Sequence, residues 1–204
     1  MMASRPLTIA ALVIATESHA GAIRGRLDAA PETSAGGTQV AATLTDAVVW
    51  VDTLPAQAMR RYRGKSREAR ITQQGRRFSP RVTAVAAGSP IRFSNRDNVY
   101  HNVFSVSPSK RFDLGKYPPR TIHRVTFDRP GLVNLYCDIH PGMAAYVMVL
   151  PHRVFARPAA SGRFALPELP AGSYVVKAWH PVHGERTTHV EVPRRGVVVT
   201  RLRF

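Results

Sequence analysis

The chain holds a single cysteine among its 204 residues, in Leu135-Tyr136-Cys137-Asp138-Ile139-His140-Pro141-Gly142-Met143. No intrachain disulfide is then possible, so packing, helped by a bound ion, must hold whatever fold forms. His140 and Met143 follow Cys137 at successive spacings of three. Thiolate, imidazole and thioether on one short loop form a soft donor set of the kind that copper selects. A trigonal site needs a second imidazole from another part of the chain. His101, in Tyr100-His101-Asn102-Val103-Phe104, is the candidate. Two imidazoles and a thiolate with a weak axial thioether are the electron-transfer set.

The segments around these residues predict strands. Val82 and Ala84 alternate before a Gly88-Ser89-Pro90 turn, and Ile91 and Phe93 alternate after it. A strand from Tyr100 to Val106 is expected to carry His101. The connection from Ser107 to Arg120 contains Pro118-Pro119, too proline-rich for a helix. Ile122 to Phe127 predicts another strand, and Asp128-Arg129-Pro130-Gly131 turns the chain into Leu132 to Cys137. On that strand Val133, Leu135 and Cys137 share a face, which delivers the thiol inward at the strand's end. Ala144 to Leu150 is expected to return beside it.

Taken together, these segments resemble the cupredoxins. Phe78-Ser79-Pro80, then Gly88-Ser89-Pro90-Ile91-Arg92-Phe93-Ser94-Asn95-Arg96-Asp97, His101-Asn102-Val103 and Cys137-x2-His140-x2-Met143 stand in that family's order. The ligand loop is similar to the short one of amicyanin, and the plastocyanin and methylamine-utilisation proteins of the same branch are exported. The resemblance covers residues 78–150. It implies a Greek-key β-sandwich with one type 1 copper ion, His101, Cys137 and His140 as equatorial ligands and Met143 as the axial one. It also implies a backbone amide at Asn102 that tunes the ligand sulfur, and a docking surface around the exposed His140 edge at Pro141, Gly142 and Ala144.

Sequence outside this stretch predicts more β structure. Ile23 to Asp28, Ala47 to Val51 and Gly162-Arg163-Phe164-Ala165-Leu166-Pro167-Glu168-Leu169-Pro170-Ala171-Gly172-Ser173-Tyr174 resemble pieces of a carboxypeptidase-regulatory-like, transthyretin-like sandwich. Roughly fifty residues after Pro151 are few for a self-sufficient core. The strands before the cupredoxin stretch are therefore expected to complete that second, small sandwich. The fold class predicted is all-β. Its parts are a signal peptide over 1–20, N-terminal strands of the second sandwich over 21–58, a basic connector over 59–77, a cupredoxin domain over 78–151 and the remaining sandwich over 152–204.

The leader prediction rests on Arg5, the apolar run Leu7 to Ala15 and the small-x-small Ser18-His19-Ala20. With no arginine pair before the apolar run, a Sec-type route to the periplasm or another exported location is expected. The run is too short to span a bilayer, and none elsewhere approaches that length. Export also gives an unpaired cysteine a reason to exist, since a metal ligand needs no disulfide partner.

The net charge is +16, with Arg60, Arg61, Arg63, Lys65, Arg67, Arg70, Arg76 and Arg77 set against Glu68 alone in the connector. Nucleic acid is not expected as a partner, because export and the absence of interleaved aromatics argue against it. The connector, with a short strand expected at Ala69 to Gln73, reads as a solvated run of charge, or as a surface that steers an acidic redox protein toward the site. His180 and His183 bracket Pro181-Val182 and read as turn residues. No nucleophile elbow, phosphate loop or HExxH occurs, so no enzyme activity is expected. A one-electron carrier is the function predicted. A copper carriage or storage protein and a scaffold with a structural metal are the alternatives.

Overall fold

In a computed structural model, residues 20–29, 32–33, 39–40 and 43–204 are described. The expected leader lies outside these residues except for Ala20, where the first strand, Ala20–Asp28, begins. Among the described residues the chain is all-β apart from the helix Ala56–Tyr62 and a single 3-10 turn.

Two sheets enclose the segments that carry the candidate ligands. One runs Lys110–Asp113, Phe104–Ser107, Gly131–Tyr136, Ala144–Leu150 and Val82–Ala86. The other runs Ile122–Phe127, Ser89–Asn95, Ala69–Gln73 and Phe78–Ser79. Ser89–Asn95 alternates strictly, burying Ser89, Ile91, Phe93 and Asn95 while the residues between them stay half-buried. That period of two is what places Ile91 and Phe93 in one core with Ile71, Phe127, Val133, Leu135 and Val147.

Most of the remaining strands build two further sheets, and Glu32–Thr33 pairs with Gln39–Val40 in a small fifth one. Val48–Val51 lies between Phe155–Ala156 and Gly172–His180, with Gly184–Val192 beyond. Ala20–Asp28 pairs antiparallel with Arg163–Ala165 and Leu169–Pro170, and parallel with Val197–Arg203. Strands from the beginning and the end of the described chain thus share sheets. Their core includes Ile23, Leu27, Val49, Val51, Leu169, Val176 and Leu202. Gly25 sits where a side chain has no room, since a Cβ there would lie 2.3 Å from the Phe164 ring.

Val-Val-Trp-Val over 48–51 has no polar alternation because all four residues are buried. Val49 and Val51 face the core just described, while Val48 and Trp50 pack on Val82, Met148 and Leu150 of the first sandwich. A sheet covered on both faces reads as a continuous apolar run. The Tyr146 and Trp179 rings meet at 5.5 Å beside this seam. Trp50→Ala, which empties its centre, is expected to cost about 3–5 kcal/mol in urea unfolding. A loss under 1 kcal/mol would show that the seam contributes little.

The short strand expected within the basic stretch is present: Ala69–Gln73 runs parallel to Ser89–Asn95, with Ile71 and Gln73 fully buried and Arg70 exposed. The connection from Ser107 to Arg120 holds no helix, in line with its prolines, and adds a strand, Lys110–Asp113, paired with Phe104–Ser107. One expectation is corrected. The strand after His101 is Phe104–Ser107 rather than Tyr100 to Val106, and His101 forms an isolated bridge with Tyr117.

Candidate metal centre

Cys137 stands one residue past the end of Gly131–Tyr136, with Val133 and Leu135 fully buried below it. The loop then turns tightly. The Met143 amide donates to the His140 carbonyl at 3.3 Å, and Gly142 takes a φ of +82°, which a residue with a Cβ rarely adopts. Ala144–Leu150 begins at once and pairs with the strand that delivered Cys137. Cys137 and Met143 both belong to the core between the two sheets.

His101 comes from the segment that leads into Phe104–Ser107, the strand beside Gly131–Tyr136. Its amide donates to the Tyr117 carbonyl at 3.1 Å, and the Tyr117 amide donates back at 2.8 Å. The side chain is fully buried. Ligand atoms of His101, Cys137 and His140 all lie within 4.8 Å of one another. Cys137 Sγ is 3.8 Å from His140 Nδ1, and the two imidazole centroids are 4.7 Å apart.

The tautomer of His101 follows from its neighbour Asp97. Nε2–H donates to Asp97 Oδ2 at 2.8 Å, which leaves Nδ1 as the acceptor nitrogen. That Nδ1 is buried and has no hydrogen-bond partner. A buried acceptor costs free energy when nothing occupies it. A metal ion shared with the Cys137 and His140 donors would relieve that cost, so the residues fit such an ion.

Asp97 is itself held. The Gly75 and Arg76 amides donate to its two carboxylate oxygens at 2.6 and 2.8 Å. Both of those residues have positive φ, 63° and 55°, which turns successive N–H groups toward one anion. Partial burial pushes the Asp97 carboxyl up, but the Arg76 amide, His101 and the Gly75 amide outweigh it and keep it below the usual range. His140 is lowered by burial, with the charges of His101 and Arg76 adding to the effect against Asp97. The two directions favour an ionised Asp97 carboxylate and a neutral His140 imidazole.

Behind His101 runs a buried polar chain. Tyr117 Oη donates to Gln73 Oε1 at 2.6 Å, and Gln73 Nε2 donates to the Asn102 carbonyl at 3.2 Å. Asn102 Nδ2 donates to Asp113 Oδ1 at 2.7 Å. Burial pushes the Tyr117 hydroxyl well above the usual tyrosine range, against the bond to Gln73, so it stays a donor. The chain fixes the backbone on both sides of the His101–Tyr117 bridge.

Of the residues expected from sequence, His101, Cys137 and His140 are brought together, and Met143 is buried in the adjoining core at 4% exposure. Pro141 and Gly142 are exposed and Ala144 is half-buried beside His140. Sequence reasoning missed Asp97, Gln73 and Tyr117. Asp97 carried a usable signal, an acid four positions before a candidate ligand. Gln73 had another, a polar residue in phase with Ile71. His180 and His183 stack at 4.7 Å in the hairpin turn after Gly172–His180.

No protein-family model matches this chain, and no curated protein does. Parts of it are similar to solved structures. A Cu-containing nitrite reductase from Thermus scotoductus is 25% identical at a TM-score of 0.39, over 40% of this chain and 22% of that one. A purple cupredoxin from Nitrosopumilus maritimus is 22% identical at 0.36, over 40% of this chain and 98% of that one. A Cu(I) structure of an amicyanin mutant is 19% identical at 0.38, over 40% of this chain and 81% of that one. This chain therefore spans about a fifth of the nitrite reductase and most of the two smaller proteins.

Proposed function

We propose that this chain is an exported cupredoxin that binds one copper ion in the type 1 manner at His101, Cys137, His140 and Met143, and that it acts as a one-electron carrier. The observation that carries the reading is the buried His101 imidazole. Its Nε2–H is committed to Asp97 and its unpartnered Nδ1 lies within the His101–Cys137–His140 donor group. One thiolate, two imidazoles and a nearby thioether favour copper over zinc, whose structural sites collect more thiolates.

A copper ion held there would supply one-electron chemistry by cycling between Cu(II) and Cu(I). The chain's own residues do the rest. Asp97 locks the His101 tautomer and ring orientation, as carboxylate partners of ligating histidines do. Burial of His101 and Cys137 keeps water from the thiolate side. His140, half-buried, is the ligand nearest solvent, with exposed Pro141 and Gly142 beside it. A short path for an electron through that imidazole edge is the role this rim supports. Four protein donors leave no open position for a substrate, which is why the reading is a carrier and not an enzyme.

Voltammetry of the copper-loaded chain tests the carrier role. A reversible one-electron couple, lost in His101→Ala, is the expected result. Copper bound at one per chain with no reversible couple would instead support carriage or storage.

A further inference from the structure

Three aligned arginines cross the outer face of the Ile122–Phe127, Ser89–Asn95 and Ala69–Gln73 sheet. Arg70 stands opposite Arg92, and Arg92 opposite Arg124. Glu68 holds Arg124 at 2.8 Å and Arg92 at 3.8 Å, which offsets part of the row. Along the strands the same face continues through the Thr72 and Ser94 hydroxyls to Arg96 and Arg120. Arg70, Thr72, Arg92, Ser94, Arg96 and Arg120 line an open cleft of about 460 Å³. Glu68 also lies close enough to Arg70 to feel its charge, so one carboxylate is shared among three guanidiniums, and among the described residues Arg96 and Arg120 form no ion pair. Guanidiniums in excess of their counter-charges on one face repel each other and favour an anionic occupant.

The spacing says what kind of anion. Arg92 and Arg96 are four residues apart on extended chain, about 13 Å at the usual strand rise. A single phosphate cannot reach both ends, whereas several carboxylates on a protein surface can. The lining has no aromatic ring on which a base could stack, which argues against a nucleic acid. The upper end of the cleft adjoins the candidate metal centre, because Arg96 precedes the Asp97 that holds His101.

We infer that this cleft is the docking surface for an acidic segment of a protein partner, which Arg70, Arg96 and Arg120 seat beside the metal-bearing end. That the partner exchanges electrons rests on the copper reading above. The docking itself does not, because the arginines are in place without the ion.

The probe is a fluorescent all-glutamate peptide about six residues long, titrated into the full chain, metal-free and copper-loaded, at low ionic strength. Saturable binding is expected, weakening as salt shortens the screening length from about 30 Å to about 8 Å. The pair Arg70→Gln and Arg96→Gln should weaken it about tenfold. The control pair Arg24→Gln and Arg163→Gln removes the same charge from the outer face of the Ala20–Asp28 sheet and should leave binding unchanged. Circular dichroism confirms that both variants fold. Equal weakening by the two pairs would overturn the proposal in favour of net charge alone. Inorganic phosphate binding as tightly as the peptide would overturn it in favour of a small-anion site. Capture by phosphatidylglycerol vesicles, without peptide binding, would overturn it in favour of a membrane surface. Peptide binding by the metal-free chain stands even if copper fails to bind, so the two readings fail separately.

Discussion

Copper at a thousandfold excess over its dissociation constant is expected to raise the melting temperature of this chain by about 8–16 °C. The figure follows from about 4 kcal/mol of linkage stabilisation and about 2–4 °C per kcal/mol for a chain of this length. The effect is large because the folded state alone assembles the donors. His101 is positioned by its bridge to Tyr117, while Cys137 and His140 come from the loop after Gly131–Tyr136. An unfolded chain holds these groups at no fixed distance, so it binds copper far more weakly. His101→Ala removes the buried Nδ1 and should lose most of the shift, although the metal-free variant still folds on its sheets. Scanning calorimetry with and without a chelator measures both quantities. An equal shift in wild type and His101→Ala would mean that copper binds somewhere else.

Asp97→Ala lowers copper affinity by about 10–100-fold, although Asp97 is not itself a ligand. The carboxylate does two things. It accepts the His101 Nε2–H, which fixes Nδ1 as the donor nitrogen, and it accepts the Gly75 and Arg76 amides, which pins the ring's support to the neighbouring loop. Alanine abolishes both, so the ring can rotate or change tautomer before it binds an ion. Asp97→Asn should recover part of the loss. Its single carbonyl oxygen can still accept from His101 and Arg76, while its amide group meets the Gly75 N–H donor to donor. Competition titration against a chelator gives the affinities. The split between alanine and asparagine separates a positioning role from general loosening of the loop. If the two variants bind copper as tightly as wild type, the Asp97 bond is incidental.

The donor group His101, Cys137 and His140 was legible because it includes the one cysteine of the chain. One cysteine, with histidine and methionine at fixed spacing after it, limits the possibilities before any fold is known. The residues that hold His101 in place were not legible, because they are ordinary residues whose meaning depends on what packs against them. Asp97 looks like a turn acid until Gly75 and Arg76 are seen to face it. Gln73 looks like a surface residue until strand pairing with Ser89–Asn95 buries it completely. Val48–Val51 shows how tertiary packing overrides a local pattern. Its uninterrupted apolar run records two packed faces, one on each sandwich, and a sequence window cannot say which neighbours cover them.

The central claim is that Cys137 ligates copper as a thiolate together with His101 and His140. Addition of Cu(II) to the metal-free chain, followed by visible absorption, tests it most directly. An intense thiolate-to-copper band that saturates at one ion per chain and disappears in Cys137→Ser is the predicted result. No such band in the wild type, or one unchanged in Cys137→Ser, would contradict it.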